Sequence, residues 1–281
     1  MVPAKKQLLN FFDRIDKIAG MIGNKQLFIF LDYDGTCTPI VNTPQGAVLS
    51  DEMQMTLQEL ARQLKIGIVS GRTVEDVRSR VSIDNIFYAG SHGFEIVDPK
   101  GNLVLNKDAT RIRHTVDEVH QRLENRLKNV PGAFIEHVKF TISAHYRLVL
   151  DSDFMMVKEA VDDILKDYKY LRKTTGKKVF EIRPKINWDK GKAVNFMLKL
   201  LGFDQKKDIA VYIGDNISDE VVFNVLDGKG INILVARELQ RPTRANYIVK
   251  DPEEVKKVLE FFINLNKFKD YEYVETNLHG V

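Results

Sequence analysis

Three short apolar runs, each ending at a polar or glycine turn, constrain the fold of this chain more than any other feature. They cover residues 27–31, 66–69 and 209–213, and the turns begin at Asp32, Ser70 and Gly214. Each run is continuous and precedes a helical pattern, as expected for strands buried on both faces of a parallel sheet. The alternation of strand and helix predicts an α/β fold with a doubly wound parallel sheet.

The pattern changes between residues 112 and 187. Amphipathic helices are predicted near 112–128 and 154–168, and strands over 134–140, 141–150 and 177–183. These strands alternate polar and apolar residues, which is typical of an antiparallel sheet with one solvated face. We therefore predict an α+β cap domain at 112–187, inserted into a core that 1–111 and 188–281 form together.

Charge and hydropathy exclude several classes of partner. The 281 residues carry a net charge of +3, and the Lys and Arg residues form no block of the kind that binds nucleic acid or a membrane surface. No apolar run approaches the roughly 20 residues of a membrane span. Residues 1–26 have the spacing of an amphipathic helix rather than of a signal peptide. We expect a cytoplasmic monomer that binds a small molecule, not nucleic acid or membrane.

The residues best suited to catalysis or metal binding stand at the ends of the apolar runs. Because the carboxyl ends of parallel strands share one edge of a sheet, Asp32, Ser70 and Asp215 should converge there. Asp34 adds a second carboxylate two residues after Asp32. A divalent cation would offset the repulsion between these carboxylates and would also neutralise phosphate oxygens. Asp215 is the natural third acidic ligand, since Mg²⁺ prefers oxygen donors.

Other residues near these turns suit a phosphate group. Gly35 allows close approach of the backbone, and the hydroxyl groups of Thr36 and Ser70 can donate to phosphate oxygens. Lys190, which precedes a helical run, can supply the positive charge that phosphoryl transfer needs. Each residue also has a structural alternative, because Asp-Gly is a common turn and a Ser or Asp often caps a helix.

The two carboxylates of the first turn are predicted to have different roles. As an ionised carboxylate at the strand end, Asp32 can attack phosphorus in line and form an aspartyl-phosphate. Asp34 can protonate the leaving alcohol and later accept a proton from the hydrolytic water. The sequence therefore predicts a Mg²⁺-dependent phosphatase.

These residues resemble the four motifs of the haloacid dehalogenase superfamily. From about residue 27 to residue 265 the chain more specifically resembles the trehalose-6-phosphate phosphatases, above all those of plants. The matching stretches are 30–36, 68–72, 88–93, 145–147, 181–184 and 188–192. The resemblance implies a Rossmann-like haloacid dehalogenase core with a cap, and hydrolysis of trehalose 6-phosphate to trehalose and phosphate in carbohydrate metabolism.

The resemblance also implies a ligand set. The main-chain carbonyl of Asp34 joins Asp32 and Asp215 as a ligand of Mg²⁺. Asn216 and Asp219 do not bind the ion themselves but contact the residues that do. The trehalose enzymes usually have a second Asp where this chain has Asn216. The predicted phosphate site consists of Gly35, Ser70, Gly71 and Lys190.

The cap residues are predicted to recognise the sugar. The resemblance implies that Glu136, Lys139, Arg147 and Glu181 hold the distal sugar ring. The remaining predicted substrate contacts are Arg72, His92, His145, Lys177 and Arg183. Strand alternation places His145 with Arg147 and Glu181 with Arg183, each pair on one face. Such charges equally suit an ordinary solvent-facing side of a sheet. A turn at His137-Val138 would bring Glu136 opposite Lys139.

Several alternatives remain open on the sequence. The same core would suit a phosphatase of sucrose 6-phosphate or of a mannosyl-glycerate phosphate, or a phosphosugar mutase, although the cap motifs speak against these. A phosphoaspartate receiver domain also gathers acidic residues, Ser or Thr and Lys, but the length and the inserted segment exceed such a domain. A catalytically silent sugar-phosphate sensor would not need every catalytic residue type that is present here.

Overall fold

The computed structural model of the protein describes residues 8–41, 43–176, 178–239 and 241–278. The first elements are β1 (Leu9–Asn10), α1 (Ile15–Ile22), β2 (Gln26–Leu31), α2 (Asp51–Gln63), β3 (Lys65–Val69), α3 (Val74–Val81), β4 (Phe87–Gly90), β5 (Glu95–Val97) and β6 (Leu103–Leu105). They are followed by α4 (Lys107–Leu127), β7 (Phe134–Val138), β8 (Thr141–His145), α5 (Phe154–Lys166), β9 (Leu171–Gly176) and β10 (Val179–Pro184). The last elements are α6 (Lys190–Leu200), β11 (Asp208–Gly214), α7 (Glu220–Val225), β12 (Gly230–Val235), β13 (Tyr247–Val249) and α8 (Pro252–Leu278).

The chain divides into two compact units. One contains the residues up to Leu103 together with those from Asp189 onward, and the other spans Val104–Trp188. The sequence placed the start of the insertion at 112, whereas α4 begins at Lys107. Asn106 caps this helix by accepting hydrogen bonds from two main-chain N–H groups of the first turn.

The first unit is built on a nine-stranded sheet in the order β1-β13-β12-β11-β2-β3-β4-β5-β6. The strands from β1 to β4 in this order are parallel, and β5 is antiparallel to β4. On β2, Ile29 packs into the cluster that contains Leu57 of α2 and Val258 of α8. On the opposite face Phe28 packs edge-on against Phe203, with 5.4 Å between ring centroids. Both faces of the sheet are therefore covered, and the α/β prediction is confirmed.

Burial explains why the central strands read as continuous apolar runs. All five residues from Leu27 to Leu31 are buried, with β11 on one side of β2 and β3 on the other. Full burial of one large aliphatic or aromatic side chain contributes roughly 1.5–3 kcal/mol. The edge of the sheet where these strands end is thus fixed by the best-packed part of the unit.

The second unit is a four-stranded antiparallel sheet in the order β7-β8-β10-β9. Apolar residues of one sheet face, among them Ile142 and Phe180, pack against Val116 of α4 and Val157 of α5. The opposite face of the sheet carries the residues of intermediate exposure on β8 and β10. One face is therefore packed and the other is polar, as the alternation indicated.

The hairpin between β7 and β8 differs from the expectation. Val138 pairs with Thr141, so the two-residue turn is Lys139-Phe140, not the turn at His137-Val138 that would place Glu136 opposite Lys139. Lys139 has a φ of 44°, in the left-handed region that tight hairpins require. Glu136 consequently faces Ser143 across the hairpin rather than Lys139.

Other boundaries also differ from the sequence expectations. Strand β9 (Leu171–Gly176) has a polar composition and was not predicted, and β8 ends at His145 rather than near 150. Of residues 1–26, the first seven lie outside the described part of the chain; β1 and a 3-10 turn then precede α1, the only α-helix described there. Among the described helices, none combines the length and the apolar character that crossing a bilayer demands.

Candidate active site

The carboxyl ends of β2, β3 and β11 lie side by side at one edge of the nine-stranded sheet. Asp32 follows β2, Ser70 follows β3, and Asp215 follows β11. The main-chain N–H of Asp32 donates to the carbonyl of Ile213 at 2.9 Å, which extends the pairing to the strand ends. The convergence that the sequence indicated is therefore present.

An acidic cluster with one lysine occupies this edge. Asp32, Asp215 and Asp219 each place a carboxylate oxygen within 4.8 Å of the others. The Nζ of Lys190 lies 2.9 Å from Asp32 Oδ1 and 2.7 Å from Asp219 Oδ1, and the lysine side chain is only 3% exposed. Asp189 caps α6 and so makes Lys190 the first residue of that helix.

Asp219 is held from three sides. Its Oδ1 accepts hydrogen bonds from Lys190 and, at 2.7 Å, from the hydroxyl of Tyr212, and its Oδ2 accepts from the main-chain N–H of Asn216 at 2.9 Å. The sequence analysis missed Tyr212, which is fully buried on β11. Its only signal was a single hydroxyl group inside a buried apolar run, since a buried Tyr usually finds a partner for its O–H.

Burial shapes the electrostatics of this cluster. Burial raises the pKa of Asp32 well above its usual range, an effect that Lys190 opposes. Burial and, next, the charge of Asp219 raise the pKa of Asp215 to about 6. Although burial alone lowers the pKa of Lys190, Asp219 and Asp32 raise it above its usual value, so this lysine stays charged. Two buried carboxylates and the partly exposed Asp215 around one ammonium group leave an excess of negative charge.

The residues present fit a divalent cation. Asp215 Oδ1 is buried and has no hydrogen-bond partner among the described residues. Gly35, with a φ of 81°, approaches so closely that an added Cβ would lie 2.2 Å from Asp215 Oδ2. Because all the donors are oxygens and the excess charge is negative, a hard cation such as Mg²⁺ matches this chemistry.

Hydroxyl and glycine positions border the acidic cluster. Thr36 Oγ1 is buried and makes no hydrogen bond within the described part of the chain. Ser70 Oγ accepts from the main-chain N–H of Arg72 at 3.1 Å. His92 donates its main-chain N–H to the carbonyl of Ser70 at 2.9 Å. A Cβ added to Gly71 would lie only 2.9 Å from Cε1 of the His92 ring. His92 therefore packs directly on the Ser70-Gly71 turn.

The carboxylate of Asp34 is paired with Arg72 instead of joining the acidic cluster. Arg72 Nε donates to Oδ2 at 2.7 Å and Nη2 donates to Oδ1 at 2.6 Å. A bidentate pair of this kind fixes the orientation of both groups. A third donor, Nη1, reaches Asp76 at 2.7 Å. Arg72 was predicted as a sugar contact, and the structure gives it two carboxylate partners.

The second unit gathers some of the predicted sugar contacts on its polar sheet face. His145 Nε2 lies 3.1 Å from Glu136 Oε2, and Arg183 forms an ion pair with Glu181. Cross-strand neighbours form one polar row, namely Glu136, Ser143, Glu181 and Thr174. Four of the predicted contacts therefore lie on adjacent strands of one face.

The other predicted contacts of the second unit do not belong to this face. Lys139 is in the β7–β8 turn, and Arg147 follows the end of β8, where it is exposed. Arg147 leaves the strand face because the pairing of β8 with β10 stops at His145. Lys177 lies outside the described residues.

Comparison with known proteins provides independent information. The family model described as trehalose-phosphatase matches residues 30–253. Trehalose-phosphate phosphatase B of Arabidopsis thaliana is 41% identical over 263 residues, which cover 90% of this chain and 69% of that protein. Probable trehalose-phosphate phosphatase 4 of Oryza sativa is 40% identical over 261 residues, covering 91% of this chain and 70% of that protein.

A solved structure supports the fold. The crystal structure of a trehalose-6-phosphate phosphatase related protein has a TM-score of 0.74 at 24% identity, covering 87% of this chain and all of that one. Because the family model matches from the end of β2 to the start of α8, and the plant relatives exceed a third identity over nine-tenths of the chain, this protein belongs to the trehalose-phosphatase family.

Proposed function

We propose that this chain hydrolyses trehalose 6-phosphate to trehalose and inorganic phosphate in a Mg²⁺-dependent reaction. The observation that carries the proposal is the contact of buried Lys190 with both Asp32 and Asp219, beside Asp215, in a member of the trehalose-phosphatase family. This arrangement combines a carboxylate nucleophile, a fixed cation and an unsatisfied oxygen donor. Phosphoryl transfer is catalysed largely by such positioning and charge stabilisation.

In the proposed reaction Asp32 is the nucleophile, and Asp34 acts first as an acid and then as a base. A carboxylate oxygen of Asp32 attacks phosphorus, and the bond from phosphorus to the sugar oxygen breaks as Asp34 donates a proton to that oxygen. Asp34 then accepts a proton from the water that attacks the aspartyl-phosphate. Cleavage of that bond releases phosphate and restores the carboxylate of Asp32.

The remaining residues of the edge hold the phosphate group and the cation. Asp32, Asp215 and the main-chain carbonyl of Asp34 would hold Mg²⁺, which when bound supplies positive charge to the phosphate oxygens. The hydroxyl groups of Thr36 and Ser70, the main chain at Gly35 and Gly71, and Lys190 would complete the phosphate site. Thr36 Oγ1 and Asp215 Oδ1, which have no hydrogen-bond partner among the described residues, support this arrangement.

Sugar recognition is assigned to the second unit. Two carboxylates, Glu136 and Glu181, lie in one cross-strand row with Ser143 and Thr174. A disaccharide offers many hydroxyl groups, and a site built to hydrogen-bond them disfavours smaller substrates that leave its polar groups unpaired. This polar row supports a disaccharide over a monosaccharide.

A substrate panel tests the proposed function. Phosphate release is measured from trehalose 6-phosphate, sucrose 6-phosphate, a mannosyl-glycerate phosphate and glucose 6-phosphate, with Mg²⁺ and with excess chelator. We expect the highest kcat/KM for trehalose 6-phosphate, and loss of release from every substrate under chelation. A higher kcat/KM for sucrose 6-phosphate would change the substrate assignment to that sugar. Full activity under chelation would exclude the proposed requirement for Mg²⁺.

The hydroxyl of Tyr212 is expected to stabilise the Asp219–Lys190 contact. Replacing Tyr212 by Phe removes one hydrogen bond to a buried charged group, a contribution of about 1.5–3 kcal/mol. We expect the free energy of unfolding in urea to fall by that amount. Because Lys190 then loses part of its anchoring, kcat should fall by about tenfold, the equivalent of roughly 1.4 kcal/mol.

Tyr88→Phe is the matched control. The hydroxyl of Tyr88 is also buried, but its partners are only the main-chain N–H and carbonyl of Ile83. This variant should lose about 0.5–1.5 kcal/mol of stability, as for a neutral hydrogen bond, and should keep the wild-type kcat. Equal kcat for the Tyr212 variant and the wild type would contradict the role given to Tyr212.

A further inference from the structure

Four charged residues form a continuous chain that starts at Asp34 and runs along α3. Arg72 binds Asp34 through Nε and Nη2, and its Nη1 binds Asp76 Oδ2 at 2.7 Å. The other oxygen of Asp76 accepts from Arg80 Nε at 2.8 Å. We call Asp34, Arg72, Asp76 and Arg80 the α3 charge chain.

The far end of the α3 charge chain is anchored in the main chain. Arg80 Nη1 donates to the carbonyls of Gln45 and Ala47 at 3.3 and 3.1 Å. The carbonyl of Ala47 also accepts from the hydroxyl of Tyr33 at 2.9 Å, and the guanidinium of Arg72 lies over the Tyr33 ring at 5.5 Å. The α3 charge chain therefore starts and ends on groups whose positions depend on the segment around Asp32.

Exposure distinguishes the α3 charge chain from ordinary surface pairs. The side chains of Arg72 and Arg80 are 11% and 18% exposed, whereas those of their partners Asp34 and Asp76 are 44% and 36% exposed. On the same helix Arg78 is 49% exposed, and it lies 3.7 Å from Asp84, which is 88% exposed. Exposed pairs of the second kind contribute little, whereas largely buried, bidentate arginine contacts impose an orientation.

The alternation of charges shows what the α3 charge chain does not do. Two carboxylates and two guanidinium groups neutralise each other, and in the contacts described above the donors of both arginines are directed at carboxylates and carbonyls. The α3 charge chain thus has no excess positive charge with which to bind a phosphate. Its geometric effect is to fix Arg72, a long side chain that loses much rotamer freedom when held in one orientation.

We propose that Asp76 and Arg80 are positioning residues for Asp34, acting through Arg72. They hold the Arg72 guanidinium in the one orientation that presents the Asp34 carboxyl group to the leaving oxygen of the substrate. This inference rests on the proposed function, because it takes Asp34 as the proton donor. It extends that function to two residues of α3 that contact no reacting atom.

The chemistry of proton donation gives a specific readout. In the first step the Asp32 oxygen bonds to phosphorus and the phosphorus–oxygen bond to the leaving group breaks. Asp34 takes part in its protonated form, with one oxygen still held by Arg72 and the other carrying the proton that moves to the leaving oxygen. A sugar alkoxide is a poor leaving group and needs that proton, whereas an aryl oxide such as p-nitrophenolate leaves without it. A misplaced Asp34 should therefore slow a sugar phosphate much more than an aryl phosphate.

The test compares Asp76→Asn and Arg80→Gln with the wild type on trehalose 6-phosphate and on p-nitrophenyl phosphate, both with Mg²⁺. Steady-state kcat and KM are measured, together with the single-turnover rate of leaving-group release. For the sugar phosphate we expect both variants to lose about ten- to a hundredfold in kcat, within the range of general acid catalysis, with KM nearly unchanged. Release of p-nitrophenol should change by less than about threefold.

Three further variants separate positioning from folding. Arg78→Gln alters the exposed pair of the same helix and should leave both substrates unaffected. Asp76→Glu keeps the negative charge and should recover part of the sugar-phosphate rate. The double variant Asp76→Asn with Arg80→Gln removes a pair of opposite charges together, so it keeps the balance of charge if a single variant folds poorly.

The outcomes bear separately on the two proposals. Equal losses on the sugar and aryl substrates, or no loss on either, would overturn the positioning role. If the wild type prefers another sugar phosphate, that ester replaces trehalose 6-phosphate in the comparison; the substrate assignment then fails while the positioning role is still decided by the ratio of the two rates.

Discussion

Replacement of Asp32 by Asn is expected to abolish phosphate release while leaving the fold at least as stable as that of the wild type. The amide has the shape of the carboxylate but cannot form the aspartyl-phosphate, so kcat should fall by at least about a thousandfold. After brief incubation with labelled substrate and acid quenching, the wild type should carry the label and the variant should not.

The stability part of this expectation follows from the raised pKa of Asp32. A carboxyl whose pKa is higher in the folded than in the unfolded state destabilises the fold at neutral pH, because folding then opposes its ionisation. A neutral amide removes that cost, while Lys190 keeps its contact with Asp219. Unfolding in urea at pH 7 should therefore give a free energy equal to or above that of the wild type.

Asp208→Asn is the control for this experiment. Asp208 is also largely buried, but it lies at the amino end of β11, away from Asp215, and its Oδ2 accepts from the main-chain N–H of Asp204 at 2.7 Å. This variant should keep the wild-type kcat. Phosphate release by Asp32→Asn at more than a few per cent of the wild-type rate would exclude Asp32 as the nucleophile.

Replacement of Lys190 by Met should have the opposite effect on stability. Met preserves most of the length of the side chain but leaves the buried carboxylates of Asp32 and Asp219 without their ammonium partner, beside the partly exposed Asp215. Removing one member of a buried ion pair costs about 3–5 kcal/mol. The loss of a fixed cation beside the phosphate should also lower kcat by at least about a hundredfold.

The stability loss of this variant should depend on pH in a defined direction. Without Lys190 the pKa values of Asp32 and Asp215 rise further; that of Asp32 is already raised by burial, and that of Asp215 is already raised to about 6. A carboxyl group with a raised folded-state pKa does not destabilise the fold at pH values below its unfolded-state pKa. Its destabilising effect is lost stability that grows as pH rises through the folded-state pKa. The difference from the wild type should therefore be largest near pH 7 and should narrow toward about pH 4–5.

Urea unfolding at several pH values checks this dependence, with Lys199→Met as the control. Lys199 is exposed in the last turn of the same helix, so its replacement should change stability by less than about 0.5 kcal/mol at any pH. Mg²⁺ should recover part of the stability lost in the Lys190 variant, since it offsets the same carboxylates. A pH-independent loss would show that packing, not charge, is what Lys190 contributes.

The parallel sheet of the core could be predicted from the sequence because the signals for its strands are local. The runs before Asp32, Ser70 and Gly214 are buried on both faces, and a run of that kind has few other structures available to it. Parallel pairing then brings their ends to one edge, so the contact of Lys190 with Asp32 follows once α6 is capped by Asp189.

The missed features depend on contacts that sequence spacing does not contain. The turn at Lys139 requires a positive φ in a residue that rarely adopts it, so the sequence does not show which two residues form the turn. Strand β9 is polar because it lies at the edge of its sheet and only its first residue, Leu171, is buried. Tyr212 and Asp76 acquire their roles from partners on other elements, and periodicity shows which way a side chain points but not what it contacts.

The carbonyl of Ala47 has a consequence for how the protein can change. This one oxygen receives both Tyr33, which stands between the two active carboxylates, and Arg80, the last member of the α3 charge chain. A loop separated by 14 residues from Tyr33 therefore shares in setting the geometry of both carboxylates. Inserting, deleting or transplanting residues in that loop should therefore alter the reaction, and the boundary of the active site in a redesign has to be drawn to include it.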